Sequence, residues 1–150
     1  MARFQFRLKT LLAVREAARD ECQARLAEMY LAQRRLESRC AWLDAELSGQ
    51  QARVRADVAP GRVDVDRLLT TDRYESVLRS EAEILAKREQ ALASEIERQR
   101  QAVTAADSEV RVLEKLREKQ FEQYRQQQSL VEAKQFDEVA ARMVQHEDAS

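Results

Sequence analysis

The chain has 150 residues, with 26 Lys and Arg against 27 Asp and Glu and a formal net charge of −1. Charged residues make up 35%, aromatics only 5%, and there are two glycines and one proline. This is the composition of long helices that bury one narrow seam, and it excludes an ordinary globular core with a concave active site.

The charge balance also bears on partners. Acids and bases are interspersed, and no face or arm carries the basic excess expected of a nucleic-acid binder. No apolar run approaches the length of a membrane span, and no signal peptide is visible. Arg3, Arg7 and Lys9 are basic, but the apolar stretch after them is broken at once by Arg15 and Glu16. The expected compartment is the cytosol.

In chain order, the first helix is predicted over about residues 4–56. From Cys22 onward, apolar or small residues recur at alternating spacings of four and three. This places Leu26, Gln33, Cys40 and Leu47 at heptad a positions and Cys22, Met29, Leu36 and Leu43 at d positions. Upstream the spacing slips, and Leu8, Leu11, Leu12 and Ala18 carry the stripe toward the N-terminus. Gly49 interrupts the pattern without ending it, since helix-compatible residues follow.

A turn is predicted over residues 57–66, centred on the adjacent Pro60 and Gly61. Pro60 cannot donate a backbone hydrogen bond, and Gly61 tolerates backbone angles closed to other residues. The second helix is expected over about residues 67–143, capped by Asp66 or Thr71 and followed by a polar tail, residues 144–150. Its seam runs through Tyr74, Leu78, Leu85, Glu89, Leu92, Ile96, Gln99, Val103, Ala106, Val110 and Leu113.

The fold class is therefore all-α: a single domain formed by a long antiparallel two-helix coiled-coil hairpin. Folding at Pro60 sets Leu47 against Leu78, Cys40 against Leu85, Leu36 against Glu89, Gln33 against Leu92 and Met29 against Ile96. Further along, Leu8 meets Leu116 and Phe4 meets Phe121. The first helix is used up there. About twenty residues of the second helix, an overhang of ~30 Å at 1.5 Å per residue, have no partner within the chain. They include Leu130, Val131, Phe136, Val139 and Met143, which are expected to fray or to be held by another molecule.

No catalytic, cofactor-binding or metal-ligating set is expected. Cys22 and Cys40 lie roughly 27 Å apart along one helix, too far for a disulfide, and read as reduced seam thiols. The single histidine, His146, lies among polar tail residues. Asp137 and Glu138 are adjacent, so on a helix they point about 100° apart and do not converge on one substrate. There is no glycine-rich phosphate loop and no zinc-protease or serine-hydrolase motif. Gln33, Gln99 and Glu89 in the seam lower stability and set register. Trp42, beside the seam residue Leu43, is a candidate contact that two helices cannot cover fully.

Three segments resemble the flagellar export protein FliJ family. Phe4 to Arg15 reads F-x-F-x-L-x-x-L-L-x-x-R, like the family's opening; Val112 to Lys119 (VLEKLREK) resembles its V-L-E-K-L-R-E run; and Glu132 to Ala140 is similar to its E-x-K-x-x-D-E-x-A segment. The resemblance implies a non-enzymatic component of the flagellar type III export apparatus, cytoplasmic and peripheral to the inner membrane through protein partners alone. It implies a stalk like the gamma subunit of rotary ATPases, binding the hexameric export ATPase FliI and the export gate protein FlhA, and cycling late-substrate chaperones. Neither nucleic acid nor a small-molecule substrate is implied.

Carried over by position, the ATPase-facing residues are Phe4, Phe6, Leu8 and Leu11 at one terminus and Phe136, Asp137, Glu138 and Arg142 at the other. The gate-facing residues are Leu43, Tyr74 and Leu78. The injectisome counterpart of the same stalk, or a generic coiled-coil scaffold, is the alternative; a nucleic-acid-associated coiled coil is disfavoured by the balanced charge.

Overall fold

The computed structural model describes residues 3–58, 61 and 63–150. Two helices account for nearly all of them: α1, Lys9–Asp57, and α2, Val65–Asp148. The helices pack against each other, and there is no strand among the described residues. The all-α helical hairpin is thus the fold. Pro60, on which the predicted turn centres, lies outside the described residues together with Ala59 and Arg62.

Three element boundaries differ from expectation, each for a local reason. The helix was expected from about residue 4, but α1 begins at Lys9, whose amide bonds the Phe6 carbonyl at 3.2 Å. Before it, Phe4, Phe6 and Leu8 turn inward while Gln5 and Arg7 are exposed. That is the period-two alternation of an extended segment, and it was already present in F-x-F-x-L. At the start of α2 the cap is Asp64, not Asp66 or Thr71: its Oδ1 accepts from the amides of Asp66 (3.1 Å) and Arg67 (3.4 Å). Thr70 and Thr71 spend their hydroxyls on the carbonyls of Asp66 and Arg67, each at 2.9 Å. Finally, α2 runs to Asp148, so most of the expected tail 144–150 is helical.

The chain divides into two compact units, one of Glu21–Val103 and one of Met1–Asp20 with Thr104–Ser150. In the first, Leu43, Leu78 and Leu85 are buried together, with Leu36, Cys40, Leu47 and Ala82 packed on them. This is the register that brings Leu47 to Leu78 and Cys40 to Leu85. Gln33, Leu36, Glu89 and Leu92 border one shallow depression, in the same register. The helices run antiparallel here, because Arg39 bonds Glu81 and, further along α1, Tyr74 bonds Glu46. Gln99 crosses the seam to the backbone carbonyl of Cys22 at 3.0 Å.

In the second unit Phe6, Leu12 and Val110 are buried, with Phe4, Leu8, Leu113 and Leu116 against them. The seam of α1 departs from expectation in this unit. Leu11 and Ala18 are exposed, and the inward positions after Leu12 are Glu16 and Arg19. Inward spacings of 3 and 3 before Cys22, instead of 4 and 3, move the stripe round the helix and bring two charged residues onto it. Arg19 is matched by Asp107, which also holds Arg111 at 2.9 Å, and Arg15 pairs with Glu109 at 2.9 Å.

Candidate docking surfaces

The unit of Met1–Asp20 and Thr104–Ser150 contains both termini, and its two strands of chain are unequal in length. Phe4 packs edge-on against Phe121, ring centroids 5.2 Å apart, and lies 5.6 Å from Tyr124. Past this contact α2 continues to Asp148, accompanied among the described residues by no part of α1. Every residue in 129–150 is exposed, although the helix runs to Asp148. Phe136 is 76% exposed and Met143 66%, and Leu130, Val131, Val139 and Val144 are exposed as well. Isolated helices of this length are marginal in water, and the apolar side chains lie three or four apart at Phe136, Val139 and Met143, one stripe on the helix.

The residues expected to face an ATPase therefore separate into two groups. Phe6 is buried, while Phe4 and Leu8 are half-buried, and all three tie the start of the chain to α2. Leu11, Phe136, Asp137, Glu138 and Arg142 are exposed and available to a partner.

The expected gate-facing set divides more sharply. Leu43 is 1% exposed and Leu78 3%, so neither belongs to a surface; both are seam residues whose removal would act through the fold. A seam position and a contact position cannot be the same when only two helices share one stripe. Tyr74, expected at the start of the α2 seam, is instead 38% exposed beside it, because the inward positions there are Thr71, Glu75 and Leu78; it donates its hydroxyl to Glu46 Oε1 at 3.2 Å. Loss of hydration, then the bond to Glu46 and its charge, raise the Tyr74 phenol above the ordinary tyrosine range.

Around Tyr74 lies a face that motif reading did not assemble. Arg39, Trp42 and Glu46 fall at i, i+3 and i+7 on α1 and so share one side of it. Tyr74, Val77, Glu81 and Ile84 do the same on α2. Arg39 donates Nε and Nη2 to Glu81 Oε1 (2.9 and 2.8 Å) and holds its guanidinium 4.3 Å over the Trp42 ring. Trp42, Val77 and Ile84 are exposed. The signal for this face was available in those spacings, but it emerges only when the two helices are set side by side.

Cys40 is a half-buried seam thiol with a raised pKa, from loss of hydration first, then a hydrogen bond to Glu89 and the charges of Glu89 and Asp44. A thiol held protonated is a poor nucleophile and a poor metal ligand. Such surfaces can recognise partners by shape, apolar contact and charge.

A family model described as flagellar FliJ protein matches residues 4–149. The chain belongs to the flagellar FliJ protein family. No curated protein and no solved structure matches it. Membership of the FliJ family makes the chain a component of flagellar export. Among the described residues no helix is long and apolar enough to cross a membrane.

Proposed function

We propose that this FliJ-family chain is a non-enzymatic, stalk-like partner of the export ATPase FliI, engaging the ATPase ring through the C-terminal overhang of α2. The observation that carries the reading is the fully exposed helix over residues 129–150, with its apolar stripe open to solvent. Burying a side chain of this size stabilises by ~1.5–3 kcal/mol, so several of them give a partner ample reason to bind. A single helix is also narrow enough for a ring's central opening. Phe136, Val139 and Met143 supply affinity in this scheme, Leu11 adds to it, and Asp137, Glu138 and Arg142 orient the helix.

The Trp42 and Tyr74 face is the gate-facing surface in the same proposal, with FlhA as its partner. Tyr74 keeps the place that family resemblance assigned it. Trp42, Val77 and Ile84 replace the buried Leu43 and Leu78. Chaperone cycling and a cytoplasmic position at the flagellar base complete the reading, on family grounds.

The test is a chain ending at Gln127, compared with the full chain carrying Phe136→Ala, Val139→Ala and Met143→Ala. Both should lose binding and stimulation of the purified ATPase while keeping the helical signal of α1. A variant shortened between Val58 and Val65 should stimulate normally. If the turn variant fails and the truncated chain stimulates, the overhang is not the ATPase-binding element.

A further inference from the structure

Residues 3–20 belong to the same compact unit as the second half of α2, yet their apolar contacts are gathered at one end. Phe6 and Leu12 are buried with Val110, and Phe4, Leu8, Leu113 and Leu116 pack against them. Phe4 adds its ring contacts with Phe121 and Tyr124. From Ala13 to Glu21 no apolar side chain is even half-buried, and the inward positions are Glu16 and Arg19. The next inward apolar residues of α1, Cys22, Leu26 and Met29, belong to the unit Glu21–Val103.

The polar contacts of this stretch do little to hold it. Arg15 reaches Glu109 at 2.9 Å, but both side chains are open to water, where such a pair contributes little. Arg19 lies 4.0 Å from Asp107, and each has a nearer partner on its own helix. Asp20 is 3.3 Å from Arg19, and Arg111 is 2.9 Å from Asp107. Both charges therefore stay paired when the two helices part.

From this uneven anchoring we infer that residues 3–20 form a strap, clasped by Phe4, Phe6 and Leu12, that leaves α2 as one piece while the unit Glu21–Val103 stays folded. Segments with few buried apolar contacts are the ones that open locally in a folded protein. Once the clasp is undone, nothing apolar between Ala13 and Glu21 holds the helix down. A detached helix of residues 9–20 is too short to persist in water, so it unravels together with the clasp. A seam filled evenly along its length would instead open turn by turn. Opening bares Val110, Leu113 and Leu116 of α2 as well as Phe4, Phe6, Leu8 and Leu12 of the strap. A partner that binds either set draws the strap toward its open state. The ATPase reading, which centres on residues 129–150, stands or falls separately.

The experiment is native-state hydrogen exchange on the full chain, read amide by amide at low denaturant. The amides of residues 13–20 should share one protection factor and one response to denaturant. Phe6→Ala should lower their protection by about thirty-fold or more, the effect of deleting a buried aromatic, although none of them packs in the Phe6 cluster. Arg15→Gln should change it by less than about five-fold, the reach of one surface ion pair. Protection around Leu43 and Leu85 should be the same in all three chains. Protection in the parent that climbs step by step from residue 13 to residue 20 would overturn the inference. So would a Phe6→Ala chain in which residues 13–20 keep their protection, or one in which the amides around Leu43 lose theirs by the same factor.

Discussion

Gln99 donates its side-chain amide to the backbone carbonyl of Cys22 at 3.0 Å, joining residues 77 positions apart in the chain. A polar seam residue reaching the opposite backbone satisfies its own donor and pins the register of the two helices at that level. Gln99→Ala is expected to cost about 1 kcal/mol, the net worth of one such bond. Gln99→Leu should recover that loss through apolar burial while relaxing the register. Thermal melts read the first effect, and cross-linking between cysteines placed at matched levels reads the second.

Leu43 and Trp42 are neighbours in sequence with opposite roles. Leu43→Ala removes a fully buried side chain and should destabilise by about 2–5 kcal/mol, enough to lose much of the unit formed by Glu21–Val103. Trp42→Ala should leave the melting curve within about 1 kcal/mol of the parent, because its ring is exposed and its cation–π contact with Arg39 is a surface one. In a gate-binding assay the order should reverse, with Trp42→Ala and Tyr74→Ala impaired and still folded.

Gly49 lies inside α1, and a Cβ placed on it meets nothing within 4 Å. Nothing in the packing requires glycine there. Gly49→Ala should therefore raise stability by roughly 1 kcal/mol, the helix-propensity difference between the two residues. Denaturant midpoints measure this directly. A loss of stability would mean that the glycine is needed for a bend.

Phe4 anchors the extended N-terminal segment through Phe121 and Tyr124. Phe4→Ala should cost at least the ~0.5–1.5 kcal/mol that one aromatic pair adds beyond area burial. The readout is hydrogen exchange: amides at the start of α1 should exchange faster, while those around Leu43 keep their protection.

The Tyr74 phenol is raised above its ordinary value of 10.0 by lost hydration and by Glu46. The folded chain thus holds its proton more tightly than the unfolded one. Its contribution to stability is complete below about pH 10 and is lost as pH rises through the folded value. Tyr74→Phe should remove that part of the alkaline decline, and Glu46→Gln should move the phenol back toward 10.0 in a spectrophotometric titration.

The heptad series from Cys22 to Leu47, matched by that from Leu78 to Leu113, was enough to define the helical hairpin and to leave α2 with an unpaired end. A seam of this kind is written locally, in spacings of three and four, and so is the family's opening motif. The cap of α2 is equally local, but Asp64 and Asp66 both suit the position by residue type, and only the backbone geometry selects Asp64. The extended run of Phe4, Phe6 and Leu8 was legible as period two, but the helical pattern downstream masked it. Tertiary structure alone decided three matters. It moved the stripe from Leu11 and Ala18 onto Glu16 and Arg19, with Asp107 of α2 opposite the charge of Arg19. It placed Leu43 and Leu78 inside, since two helices have one shared stripe and whatever fills it is closed to partners. And it gathered Arg39, Trp42, Tyr74 and Glu81 on one face: the spacing within each helix puts its own residues on one side, but only the packing of the two helices brings those sides together.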